Sequence, residues 1–138
     1  MIKFENRFDE YSYRVATRYI DPSVTRLEEG QWVTLNDQGK VVISDGSSKS
    51  FIATGSKREG RDQVGGRAVQ KVSYLHGVFE LSVDNFDPAG DYASNPITPL
   101  KVVAGGILAP WNAGDGAEKI EAYAIGQPSG GYLRIFSN

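Results

Sequence analysis

Between Tyr11 and Tyr19 the side chains alternate without a slip: Tyr11, Tyr13, Val15, Thr17 and Tyr19 fall on one face, and Ser12, Arg14, Ala16 and Arg18 on the other. A period of two over that length specifies an extended strand, and nothing further along offers a convincing helical period to compete with it. The rest of the chain repeats the theme in shorter pieces. Gln31 to Leu35 and Lys40 to Ser44 flank Asn36-Asp37-Gln38-Gly39, whose Asn and Asp can bond their own backbone and whose Gly tolerates positive φ, so a hairpin is predicted.

Asp45-Gly46 ends that hairpin, Phe51 to Thr54 offers a short strand, and a long charged loop runs from Gly55 to Gly66. A second hairpin is predicted from Ala68 to Leu75 and Val78 to Val83, joined by His76-Gly77 as a two-residue turn. Residues 84–99 carry three acids, three prolines and Gly90 and read as a connection over the surface. Further strands are expected at Leu100 to Ala104, Ile107 to Ala109, Lys119 to Ile125 and Tyr132 to Phe136, separated by Gly105-Gly106, a Pro110 to Gly116 loop and Gln127 to Gly131.

The sum is an all-β fold, a small β-barrel or β-sandwich of eight to ten short antiparallel strands, with at most one helical turn. Sixteen glycines and six prolines among abundant Val, Ile, Tyr, Phe and Thr agree with short strands and tight turns. The expected organisation is an N-terminal arm over residues 1–10 and a single β domain over 11–138.

Composition removes several function classes. With no cysteine there is no disulfide framework, thiol chemistry or Cys-ligated metal. The segment after Met1 has charges among its aromatics and no apolar run, so no signal peptide is expected, and no stretch is apolar enough for a spanning helix; the expectation is a soluble protein without a membrane partner. A net charge of −2 with mixed signs gives no footprint for nucleic acid.

The single histidine, His76, falls in the predicted turn, without visible partners for a triad. Gly55-Ser56-Lys57-Arg58-Glu59-Gly60 has the glycine spacing of a phosphate loop, but Arg61-Asp62 stands where Lys and Ser or Thr are needed. Lys57, Arg58, Arg61 and Arg67 form the densest basic cluster, read either as a solvated loop or as a docking loop for an acidic protein surface. Asp84, Asp87 and Asp91 could offer oxygens to calcium, though their spacing matches no calcium loop; Asp115 reads as turn chemistry. Trp32 is expected in the core, whereas Trp111, in a Pro-Trp-Asn-Ala-Gly loop, is either tucked under the loop or offered to a partner. No cofactor and no enzymatic activity are expected.

The run from Leu27 to Val42, Leu-Glu-Glu-Gly-Gln-Trp-Val-Thr-Leu-Asn-Asp-Gln-Gly-Lys-Val-Val, resembles a phrase of the capsid decoration, or cement, proteins of tailed bacteriophages, in which an acid-Gly-x-x-Val strand precedes Asn-Asp-x-Gly-Lys-Val. The similarity extends as a pattern of elements over residues 27–136. It implies a non-enzymatic barrel or sandwich on the outside of the virion head, assembled in the host cytoplasm, often trimeric at three-fold positions and clamping neighbouring major capsid protein subunits. An N-terminal arm makes the capsid contact in several members; the corresponding segment here is Met1 to Tyr11, whose residues match no family signature and whose candidate contacts are Phe4, Arg7, Phe8 and Tyr11. Phe86, Tyr92, Ile97 and Trp111, apolar residues on long connections, are the candidates for self-association as a homotrimer. Competing readings are a small tail or baseplate component of the same virion, and a carbohydrate-binding β-module using Trp111 and surface tyrosines.

Overall fold

The computed structural model describes residues 1–4, 12–56, 63–64, 67–68, 70–92 and 97–137, with the backbone alone at residues 4, 12, 13, 63, 64, 67 and 68. Its strands are β1 (Ile2–Phe4), β2 (Ser12–Tyr19), β3 (Trp32–Leu35), β4 (Val41–Ile43), β5 (Phe51–Ala53), β6 (Gln63–Val64), β7 (Arg67–Ala68), β8 (Lys71–Val83), β9 (Ile97–Val103), β10 (Ile107–Pro110), β11 (Ala122–Ile125) and β12 (Leu133–Ser137). Two 3-10 turns, Ala113–Asp115 and Ala117–Lys119, are the helical elements among the described residues, one more than expected. Ten strands share one sheet in the order β10-β9-β11-β12-β8-β5-β3-β4, with β1 and β2 added to β8; every strand pairing is antiparallel, and β6 and β7 form a separate ribbon.

The Asn36 turn forms as its residues dictate. Asn36 Oδ1 accepts from the N–H groups of Gln38 and Lys40, both at 3.0 Å, and Gly39 takes φ +73°. The predicted hairpin at His76-Gly77 does not form. Lys71–Val83 is one continuous thirteen-residue strand, so His76 is a strand residue and not a turn residue. One edge of β8 pairs with β5 at Tyr74 and Leu75 and then with β12 from Phe79 to Val83. Between those partners the strand passes from one part of the sheet to another, and Gly77, at φ +108°, supplies the bend that a side-chain-bearing residue would resist. A glycine between two apolar runs marks a tight turn and a strand bend with the same letters.

The N-terminal arm is also corrected in part. Ile2–Phe4 pair with Leu81–Val83 of β8, and Ile2 packs against the core, so the first residues belong to the sheet.

The two ends of the long sheet meet at the turn between β9 and β10. Trp32 N–H donates to Gly106 O at 2.9 Å, and Gly106 N–H donates to Ser44 O at 2.9 Å, which draws the β3–β4 end against the β10–β9 end and closes much of a barrel. Gly106 is required there: its φ is +68°, and a Cβ would fall 2.4 Å from Trp32 O. The β9–β10 ladder stops at Pro99, which accepts from Trp111 N–H at 2.9 Å but has no N–H to return.

Alternation along β3, β5 and β8 sends side chains to two cores. Trp32, Ile52 and Leu75 point inward with Phe79, Leu81, Val83, Leu100 and Leu133, while Val33, Ala53 and Tyr74 pack on the other side against Ile20, Val24 and Leu27. This part of the sheet is therefore covered on both faces. Each fully buried Leu or Ile contributes roughly 1.5–3 kcal/mol of transfer free energy.

Candidate binding surfaces

The outer surface of β2 is the feature that the core leaves uncovered. Val15 is 56% exposed and Tyr19 48%, and Arg14, Thr17 and Arg18 are exposed as well, so both faces of the strand meet solvent. Among the described side chains of β2, Ala16, half-buried, is the one that leans on the second core. Among the described residues β2 pairs with β8 alone. Lys71 Nζ sits 4.7 Å from the centre of the Tyr19 ring, and Thr17 Oγ1 and Ser73 Oγ share a hydrogen bond of 2.7 Å, which are the side-chain contacts that hold the overhanging strand to its neighbour.

The four self-association candidates do not form a patch. Tyr92 is 2% exposed; its hydroxyl donates to Asp87 O at 2.7 Å, and burial, with the Asp87 carboxylate as a lesser cause, pushes its pKa up to about 12. Phe86 is half-buried and meets Tyr92 edge to face, with ring centres 5.8 Å apart. Trp111 is tucked: its Nε1–H donates to Gly116 O at 2.7 Å under the loop. Ile97 alone of the four is offered to solvent, at 49% exposure. Its cross-strand partner is Ile125, another exposed isoleucine, and the pair was hidden from the sequence because register places them together.

Of the arm residues, Phe4 is described by backbone alone, opposite Leu81, while Arg7, Phe8 and Tyr11 lie outside the described residues. Lys3 caps the Tyr132 ring at 3.9 Å, and Ile2 N–H donates to Glu29 Oε1 at 3.1 Å. In the basic cluster, Lys57, Arg58 and Arg61 lie outside the described residues, and Arg67 is placed only as backbone in β7. Among the described residues no three acids or histidines gather to hold a metal: Asp87 Oδ1 accepts from Ala89 N–H in its own turn, and Asp84 Oδ1 accepts from the Met1 amino group. Asp115 does serve its turn. Its Oδ2 accepts from Asn112 N–H at 2.8 Å and Lys101 Nζ at 2.9 Å, which hold the carboxyl below the usual range.

His76 is half-buried on β8 beside Phe51 and Tyr74, with ring centres 6.2 and 6.4 Å away. It borders a cleft of about 300 Å³ that is also lined by Trp32, Lys49, Phe79 and Glu121. Glu121 closes one side: its side chain is 5% exposed and accepts from Ser50 N–H at 3.2 Å and from Lys49 Nζ at 3.0 Å. Both carboxylate oxygens are thus engaged in holding two loops together. Trp32, as expected, is core.

Comparison with known protein families, curated proteins and solved structures yields no match for this chain.

Proposed function

We propose that the chain is a non-enzymatic virion structural protein, a capsid decoration protein that binds the outer surface of a tailed-phage head and braces neighbouring major capsid protein subunits. The observation that carries this reading is the exposure of β2. A strand with Val15 and Tyr19 in water and one edge unpaired among the described residues suits a chain that completes itself against other polypeptides. Two further features support it. The run from Leu27 to Val42, which resembles the decoration-protein phrase, leads into and includes the β3–β4 hairpin, and the turn letters Asn36 to Gly39 are used as turn chemistry. The exposed pair Ile97 and Ile125 offers a small apolar contact for self-association, for which a trimer is the proposed form.

The carbohydrate-module reading is the second choice: the Trp111 indole is fixed under its loop by the N–H bond to Gly116 O, and it is only partly exposed. Co-sedimentation with purified phage heads that lack the protein tests the proposal. Saturable binding at copy numbers matching three-fold positions is the expected result. Binding to tails or baseplates in place of heads would move the protein to the other end of the virion and overturn the capsid reading.

A further inference from the structure

The hydrogen-bond pattern of β2 determines what its open side can accept. Ile20 N–H donates to Gln70 O in the same register that pairs β2 with β8, and antiparallel ladders alternate bonded and non-bonded pairs. Ser12, Arg14, Ala16 and Arg18 therefore turn their main-chain groups to β8. Tyr13, Val15, Thr17 and Tyr19 turn theirs outward. The Arg18 guanidinium agrees with this assignment, because its Nη1 reaches round to donate to the outward carbonyl of Thr17 at 3.0 Å.

We infer that β2 is a strand-acceptor edge for an extended, acidic, amphipathic segment of a partner polypeptide. Three features specify that occupant. The outward N–H groups of Val15, Thr17 and Tyr19 provide a ladder for main-chain pairing. Arg14 and Arg18, four residues apart on one face, are both exposed, and β2 has no acid to balance them, so they call for carboxylates four residues apart on the same face of the incoming strand. On the other face Val15 and Tyr19 call for apolar side chains. A second copy of β2 is disfavoured in the register centred on Ala16, where antiparallel pairing sets Arg14 directly against the other copy's Arg18, and in no register does it supply the carboxylates that are called for.

This inference deepens the shell-binding reading by naming the surface and the kind of segment it takes, and it can be tested apart from phage heads. The probe is a capped peptide as long as β2, alternating glutamate with valine, with a lysine-for-glutamate peptide as control. Amide hydrogen exchange followed by NMR on the full chain is expected to show new protection at Val15, Thr17 and Tyr19 with the acidic peptide, and none with the lysine peptide. Val15→Pro removes an outward N–H while sparing the ladder to β8, and the double variant R14E/R18E reverses the charge. Each is expected to weaken peptide binding at least tenfold with the melting transition retained.

Equal binding of the lysine peptide, or no change at the outward amides, would overturn the inference. So would a free chain that dimerises through these same amides until Val15→Pro prevents it, which would make the occupant a second copy. Peptide binding without co-sedimentation would keep the edge and remove the shell; co-sedimentation unaffected by either variant would keep the shell and remove the edge.

Discussion

Trp32 and Gly106 hold the two ends of the sheet together: the main-chain N–H of one donates to the carbonyl of the other at 2.9 Å, and the indole of Trp32 fills the inner core directly behind this seam. A change at Gly106 should therefore act on closure of the barrel and not on a single turn. Gly106→Ala forces a side chain into a left-handed conformation, at roughly 1–2 kcal/mol, and against Trp32 O, at roughly 1–3 kcal/mol more. Urea denaturation should report a loss in that combined range. A loss below about 0.5 kcal/mol would mean that the seam is not needed.

Continuity of β8 through His76 and Gly77 makes the opposite prediction from a hairpin turn. A turn tolerates one extra residue, whereas a strand does not. Inserting a single Ala after His76 puts Phe79, Leu81 and Val83 on the wrong face relative to Lys71 to His76, which β2 and β5 hold in register, and the protein should fail to show a cooperative transition. Retention of the wild-type melting curve would favour the turn.

Ionisation bounds the stable range from both sides. Tyr92 has a folded pKa raised from 10.0 to about 12, so its stabilising share is complete below pH 10 and is lost as pH rises from there towards 12. Asp21, Asp45 and Asp115 are held below their ordinary 3.8 by hydrogen bonds from Ser23, Ser47 and Asn112, so their share is complete above that value and is lost as pH falls through the lowered folded values. Tyr92→Phe should cost about 1 kcal/mol at neutral pH, from the lost bond to Asp87 O, and should flatten the alkaline limb of the stability curve. An unchanged alkaline limb would exonerate Tyr92.

Glu121 and Lys49 share an ion pair but not its consequences. Removing Glu121 strands the buried Ser50 N–H without its acceptor and should cost about 1–3 kcal/mol. Lys49→Ala takes away an ammonium on a side chain that is largely in water, and should cost about 0–1 kcal/mol. Comparable losses from the two variants would place the energy in the ion pair instead of the backbone contact.

The pairing that the letters announced most clearly is the one whose partners lie close in sequence. The β3–β4 hairpin is legible because Asn36 and Gly39 encode its turn locally. Ile2–Phe4 gave no strand signal, since three residues among charges cannot display a period, and their pairing with Leu81–Val83 is decided by contacts across the chain. His76-Gly77 misled because a strand bend and a tight turn both ask for a glycine between apolar runs. The alternation of β2 was plain, yet alternation says only that two faces differ. That Val15 and Tyr19 meet solvent follows from β2 hanging on one neighbour among the described residues, with these two side chains on the face opposite Ala16 and outside the inner core. Ile97 and Ile125 became a pair only through register.

One strand serving both ends of the chain has a consequence for synthesis on the ribosome. β8 needs β1 and β2, made before it, and β12, made well after it, so the inner core cannot close until β12 has emerged. β1 and β2 must wait, unpaired and prone to wrong partners, until β8 is made, and the other edge of β8 then waits for β12. Folding should then proceed on the order of milliseconds to seconds, as in other topologies ruled by distant contacts. A chaperone that shields nascent strands would act on this protein until β12 becomes available.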